Sequence, residues 1–478
     1  MGPDGAFHPA LCISWVALSA ASLTGPTTID LQHPSSCALH LLKACLCAPK
    51  RPFRAWRHKV IHNQMSSYED GLTHSQAQRE IARQLKTPPS STAEPELSVR
   101  TRVASEPARL RNRIAGFVTM VQSILLLGHW FVYATWIAFW GPLGPRLAVP
   151  LKAALAILSV SFVAASLLAH RFNNVAVRAL YRMAAVWLGF LNFFFLAAGA
   201  TWVVYVIAAA FGQWLDRPMI AAVLYGAASL AAVAGLVNAR LIRVKRVVVK
   251  LPTLPSSWRG RIAALVSDVH LGHVNGTGFM RRVVDKVRST QPDIVFVTGD
   301  LYDGTHVDSL SLAAPWKEFR PKFGSYFVTG NHEEFSDPSK YLDGVKLAEV
   351  RVLNNEKIVI DGLQVVGVQF SSTTREKVFR AVLDRANIDP EKASILLSHA
   401  PHALEIAEQA GISLQLSGHT HRGQVFPFSW FTKRIFGPFT YGLARLRNLI
   451  VYTTSGVGTW GPPLRFGTNP EIVLIEFA

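Results

Sequence analysis

Four apolar stretches in quick succession limit what this chain can fold into more than any other feature: Ile114–Trp140, Ala148–Ala169, Met183–Phe211 and Met219–Val237. Each is near or above the roughly 18–20 residues that an α-helix needs to cross a hydrocarbon core. Their interiors hold no Asp, Glu or Arg, and the one lysine, Lys152, sits close enough to an end to reach the interface. Buried helices of a soluble bundle would each keep a polar face, which these lack. His129, inside the first stretch, reads as a neutral, hydrogen-bonded histidine. Trp130, Trp136, Trp140, Trp202 and Trp214 stand at depths suited to the two interfaces. The expectation is an all-α transmembrane bundle of about four helices within residues 111–243.

The basic residues sit beside these stretches. Arg100, Arg102, Arg109, Arg111 and Arg113 precede the first; Arg171, Arg178 and Arg182 separate the second from the third; Arg240, Arg243, Lys245, Arg246 and Lys250 follow the fourth. The other two loops are poorer, with Arg146 and Lys152 in one and Arg217 in the other. The positive-inside rule therefore predicts a multi-pass membrane protein with both ends of the bundle, and the domain that follows, on the cytoplasmic side. It also assigns the net charge of +18 to contact with membrane lipids rather than nucleic acid, for which no stacking or finger motif is present. Residues 1–110 show no sustained periodicity and read as a largely unstructured segment, with a linker composition at Lys86–Ser98 and a short amphipathic helix at Ser75–Leu85. An apolar run at Leu11–Leu23 lacks the basic flank of a signal peptide. All four cysteines fall in the first 47 residues, so a metal held further along must use His, Asp, Asn or Glu.

From residue 244 to 478 short β-branched runs alternate with helical stretches, the pattern of an α/β fold. Ten strands are expected, at Val247–Leu251, Ile262–Val266, Ile294–Thr298, Ser325–Thr329, Lys357–Ile360, Gln364–Val368, Ile395–Ser398, Leu414–Ser417, Leu449–Thr453 and Glu471–Glu476. Helices are expected at Gly278–Arg288, Pro338–Glu349, Arg375–Ala386 and His402–Ala410. Five motifs follow strand ends: Asp268-Val-His270, Gly299-Asp300-Leu-Tyr-Asp303, Gly330-Asn331-His332-Glu333, His399, and Gly418-His419-Thr-His421. Ligand sites in such folds lie outside the carboxyl ends of strands, so the motifs should converge. Imidazole and carboxylate donors together suit manganese, iron or zinc. Asp300 is the natural carboxylate to touch two ions, and two ions about 3.5–4 Å apart can hold a bridging hydroxide and clamp a phosphate for in-line attack.

Each motif by itself is weak: D-x-H is common, and GD-x-x-D is an ordinary turn. Together, in this order, they resemble the calcineurin-like metallophosphoesterases, over about residues 245–478. The resemblance implies a β-sandwich flanked by helices. It implies that Asp268, His270, Asp300 and His421 hold one divalent ion and Asp300, Asn331, His399 and His419 a second, manganese first, with iron or zinc as alternatives. His332 would protonate the leaving oxygen, and Asp303 would orient its ring. The strings SDVHLGH, SHAPHALEIA, LSGHTHRGQVFP and SGVGTWGPPLRFG resemble the membrane-associated subgroup named for the transmembrane protein with metallophosphoesterase domain. That subgroup suggests a phosphoester or pyrophosphate substrate, lipid-linked and of the type of UDP-2,3-diacylglucosamine in lipid A biosynthesis. One departure is Gly367-Val-Gln369-Phe, where an acidic pair is expected.

Other residues have plain readings. His273, His306 and His402 read as surface or loop histidines, Arg422 as a phosphate partner or an ordinary surface arginine, and Gly456 to Arg465 as a turn set or substrate rim. The aromatic stretch Pro427–Phe439 reads as an interfacial segment or a cap over the sheet. Two rival functions stay open: a membrane-tethered phosphoprotein phosphatase or nucleotide phosphodiesterase acting on soluble substrates, and a membrane sensor or transporter with a regulatory hydrolase domain. The sequence carries no signal for oligomeric state.

Overall fold

The computed structural model describes the backbone of residues 95–478 apart from 336, with side chains at residue 112 and from 114 onward. The apolar run Leu11–Leu23 and the helix expected at Ser75–Leu85 lie outside the described residues. By packing, the chain divides into two units at Ala115 and Gly116, and of the first only the helical residues from Pro95 are described.

Four helices precede the sheets: α1 (Pro95–Trp140), α2 (Pro145–Ala169), α3 (Val175–Ala210) and α4 (Arg217–Asn238). Helix α1 begins inside the stretch read as linker, because proline is tolerated in the first turn and no glycine follows until Gly116. Helix α3 begins eight residues before its apolar run, at the Asn174 cap, whose side chain accepts a hydrogen bond from the Val177 N–H. Asp216 caps α4 in the same way. All four are long and apolar enough to cross a membrane, and no more than 22% of any span is buried within the protein. Leu127, Val149, Val223 and Leu230 turn outward, as side chains facing lipid would. His129 is buried, and its ring is satisfied on both sides: Nδ1 donates to the Leu125 carbonyl and Nε2 accepts from Trp187.

The rest is a two-layer sandwich. One sheet runs β1 (Arg243–Val249), β12 (Glu471–Phe477), β2 (Ile262–Val266), β3 (Ile294–Thr298), β4 (Ser325–Val328), β5 (Arg351–Val352). The other runs β10 (Gly442–Leu446), β11 (Leu449–Thr453), β9 (Leu414–Ser417), β8 (Ser394–Ser398), β7 (Leu363–Val368), β6 (Glu356–Ile360). β2, β3 and β4 are mutually parallel, as are β7, β8, β9 and β11. These strands are buried almost throughout, which is why they read as continuous apolar runs. Leu265, Ile294 and Phe296 of one sheet meet Val365, Leu397 and Tyr452 of the other in the central core. Each such buried side chain contributes about 1.5–3 kcal/mol. The fold is thus the expected one, with two further strands, β5 and β10, that the sequence reading did not include.

Candidate metal centre

Because β2, β3 and β4 run parallel side by side, and β8 and β9 likewise, their carboxyl ends open onto shared edges. Asp268 and His270 follow β2, Asp300 and Asp303 follow β3, Asn331 and His332 follow β4, His399 follows β8, and His419 and His421 follow β9. Asp268, His270, Asp300, His419 and His421 all take positive φ, between 47° and 71°. Non-glycine residues adopt that conformation at a cost of about 1–3 kcal/mol each, and such strain collects at functional sites. Close approach demands glycine at two neighbours. A Cβ on Gly330 would stand 2.1 Å from Asp300 Oδ1, and one on Gly418 would stand 2.2 Å from Asp268 Oδ2.

The side chains gather into overlapping buried groups. Asp268, His270 and His421 form one, and Asp300, His399 and His419 another. Asn331 belongs with the second: its Oδ1 lies 3.0 Å from His399 Nε2 and 2.9 Å from His419 Nδ1. Asp300 stands between them, with Oδ2 3.2 Å from His399 Nε2 and 3.8 Å from His270 Nε2. His332 also approaches, its Nε2 3.9 Å from the same oxygen.

Burial and neighbouring charge set the protonation of each donor. Burial pushes the imidazoles of His270, His419 and His421 well below 6.5, leaving lone pairs free. Burial pushes the Asp268 carboxyl up to about 6. It works against the charge of Asp300 too, but His399, His332 and His270 outweigh it and hold that carboxyl well below its usual range. Burial likewise disfavours a charged His399, yet Asp300 beside it pushes its ring up to about 9. The Nδ1 of His399 faces the Thr298 carbonyl at 2.8 Å, which can only accept, so Nδ1 carries the hydrogen. Its Nε2 then meets Asn331 Oδ1, Asp300 Oδ2 and His419 Nδ1, a convergence of lone-pair-bearing atoms that a proton or a metal ion would hold together. On the other side His270 Nε2 and His421 Nε2 face each other at 3.0 Å. The residues fit two divalent ions, and the donor set admits manganese, iron or zinc.

Three sequence readings become more specific. Asp303 meets His332 through its main chain, and its carboxylate is turned elsewhere. It accepts from the N–H groups of Thr305 and His273, and the main-chain carbonyl of Asp303 accepts from His332 Nδ1 at 2.8 Å. His273 is a loop histidine and a buried one, between Thr305 Oγ1 and the Phe172 carbonyl. Arg422 is exposed and lies over the Tyr441 ring at 4.4 Å. Residue Glu333 was given no role by sequence reasoning, although it sits inside the Asn-His-Glu motif. Its buried carboxylate accepts the N–H groups of Asp300, Tyr302 and Gly330 and so pins two strand-end loops together. Where an acidic pair was expected, Phe370 lays its ring 5.8 Å from His399 and 5.7 Å from His419.

The family model of calcineurin-like phosphoesterases matches residues 263–423, the stretch that carries all of these ligands. An uncharacterized metallophosphoesterase of Aquifex aeolicus is 30% identical over 239 residues, which cover 49% of this chain and 91% of that one. The chain belongs to the calcineurin-like phosphoesterases. The transmembrane protein with metallophosphoesterase domain of Danio rerio is 34% identical over 265 residues, 51% of this phosphoesterase chain and 59% of the relative. An uncharacterized metallophosphoesterase of Campylobacter jejuni is 31% identical over 237 residues, 49% and 62% of the two chains. The chain spans about three-fifths of the length of the first curated relatives it matches.

Proposed function

We propose that this chain is a multi-pass membrane enzyme that hydrolyses a phosphoester or pyrophosphate with two divalent ions, its catalytic domain facing the cytoplasm. The observation that carries the reading is the buried Asp300, placed between two groups of buried imidazole and carboxylate donors. Asp268, His270, Asp300 and His421 would hold one ion, and Asp300, Asn331, His399 and His419 the other. Ions bound there would supply positive charge to the phosphoryl oxygens and an activated water. His332 is held by the Asp303 carbonyl through Nδ1, which leaves Nε2 facing the site, where the imidazolium form of the ring would donate a proton to the leaving oxygen. Glu333 fixes the loops that present Asp300 and Asn331. The domain division that supports this reading is residues 1–110, 111–243 and 244–478.

A lipid or lipid-linked nucleotide, such as UDP-2,3-diacylglucosamine, is the substrate class this reading favours. Val425 and Leu464, on loops beside the metal centre, and Phe428, which opens the helix Phe428–Phe436, pack with Phe193 and Ala232 of the membrane helices in one apolar cluster. Phe466 sets its ring edge-on against Phe193, and Trp430 and Trp460 stay exposed. The name of the zebrafish relative agrees with a membrane location. Full-length protein loaded with manganese should hydrolyse a phospholipid in mixed micelles faster than a water-soluble aryl phosphate diester, and chelation should stop both reactions. Equal rates on the two would favour a soluble substrate. Turnover that survives chelation would remove the two-metal reading.

A further inference from the structure

The loop Ser455–Arg465 lies against the first half of the metal centre. The N–H groups of Val457 and Gly458 donate to the carbonyls of Ser267 and Asp268, at 2.9 and 2.8 Å. The loop takes its shape from Arg465, a fully buried guanidinium with no carboxylate bonded to it among the described residues. Arg465 donates instead to the carbonyls of Ser455 and Gly458, and its Nη2 lies 3.3 Å from Nδ1 of His421. One guanidinium thus gathers the backbone behind Asp268 and the far edge of the His421 ring.

The other end of this loop is held by the helices. Leu464 is fully buried and wedged between two glycines. A Cβ on Gly235 of α4 would stand 2.5 Å from its side chain, and one on Gly189 of α3 would stand 3.2 Å from it. The Arg465 N–H donates to the Gly235 carbonyl at 3.0 Å, and the Asn238 amide donates to the carbonyls of Arg465 and Thr468. A tether would require none of this.

We propose that the membrane helices are part of the catalytic unit: the α3–α4 groove, acting through Leu464 and Arg465, fixes the half-site made by Asp268 and His421. Arg465 is then a positioning residue, and the bundle controls occupancy of one ion. The proposal rests on the two-metal reading, and the test separates them.

The test is Mn2+ affinity and stoichiometry of the full chain in lipid nanodiscs, with thermal unfolding measured alongside. Wild type should bind two ions. Gly235→Val, which fills the space of Leu464, should weaken one of them by about 10- to 100-fold, as loss of outer support does, and leave the other and the unfolding midpoint unchanged. Adding Leu464→Ala to Gly235→Val should restore most of the loss, a non-additivity expected only of residues in contact. Two ions at wild-type affinity in Gly235→Val, or no recovery in the double variant, would overturn the link while leaving the two-metal reading intact. Should Gly235→Val fail to assemble, Leu464→Ala by itself decides: selective weakening of one ion supports the link and unchanged affinity overturns it. A wild-type chain that binds no Mn2+ would overturn the reading beneath the proposal as well.

Discussion

Replacing Asp300 by Asn should lower kcat by roughly 10^3-fold, since charge supplied by metal ions is worth several kcal/mol in the transition state. The direction follows from how the carboxylate is held. Oδ1 accepts the His332 N–H at 2.9 Å, while Oδ2 points among His399, His270 and His332. An asparagine must keep its oxygen at the first position to satisfy that N–H, so its amide nitrogen is forced into the second. There it has no lone pair for an ion and turns hydrogens toward the cluster. The strands that present the residue are untouched, so the thermal midpoint should shift by no more than a few degrees, as for a change of about 1 kcal/mol. Steady-state rates on an aryl phosphate diester, with metal content measured on the same preparations, check both parts. Normal turnover in metal-replete Asp300→Asn protein would remove the proposed role.

His332→Ala should lower kcat by about 10^2- to 10^4-fold, the range for loss of a general acid, with both ions retained. The His332 ring packs against Phe335 and Trp460 and stands edge-on to His270, so it can meet a substrate without being needed to build the centre. The loss should depend on the leaving group. Esters of nitrophenol, which depart without a proton, should suffer least, and esters of simple alcohols most. A uniform loss accompanied by release of one ion would make His332 a ligand instead, which its grouping with His270 and Asp300 also permits by distance.

What the sequence made legible was local. IVFVT and SILLS read as buried strands because parallel pairing on both sides buries every residue, and each is followed at once by its polar motif. The four apolar runs are equally plain, since they are long and apolar on every side, with no polar face to confuse the period. Illegible parts depend on partners distant in the chain. β10 has an alternating, half-exposed pattern and becomes a strand only by pairing with β11. Phe428–Phe436 was read as an aromatic segment, not as the helix it forms against the bundle cluster. Arg465 looked like one basic residue in a Gly/Pro turn, because nothing local reveals that its partners are carbonyls up to ten residues away and a histidine 44 residues back. Asp303 is legible only in part for a related reason: the motif names the residue beside His332, but not whether its carboxylate or its carbonyl faces the imidazole.

The central claim is that seven side chains hold two divalent ions with one aspartate touching both. Low-temperature electron paramagnetic resonance of the full-length, manganese-loaded chain tests it most directly. Two ions about 3.5–4 Å apart on a shared carboxylate should give the multiline spectrum of a spin-coupled pair. A six-line spectrum of isolated manganese at saturating metal would contradict the account.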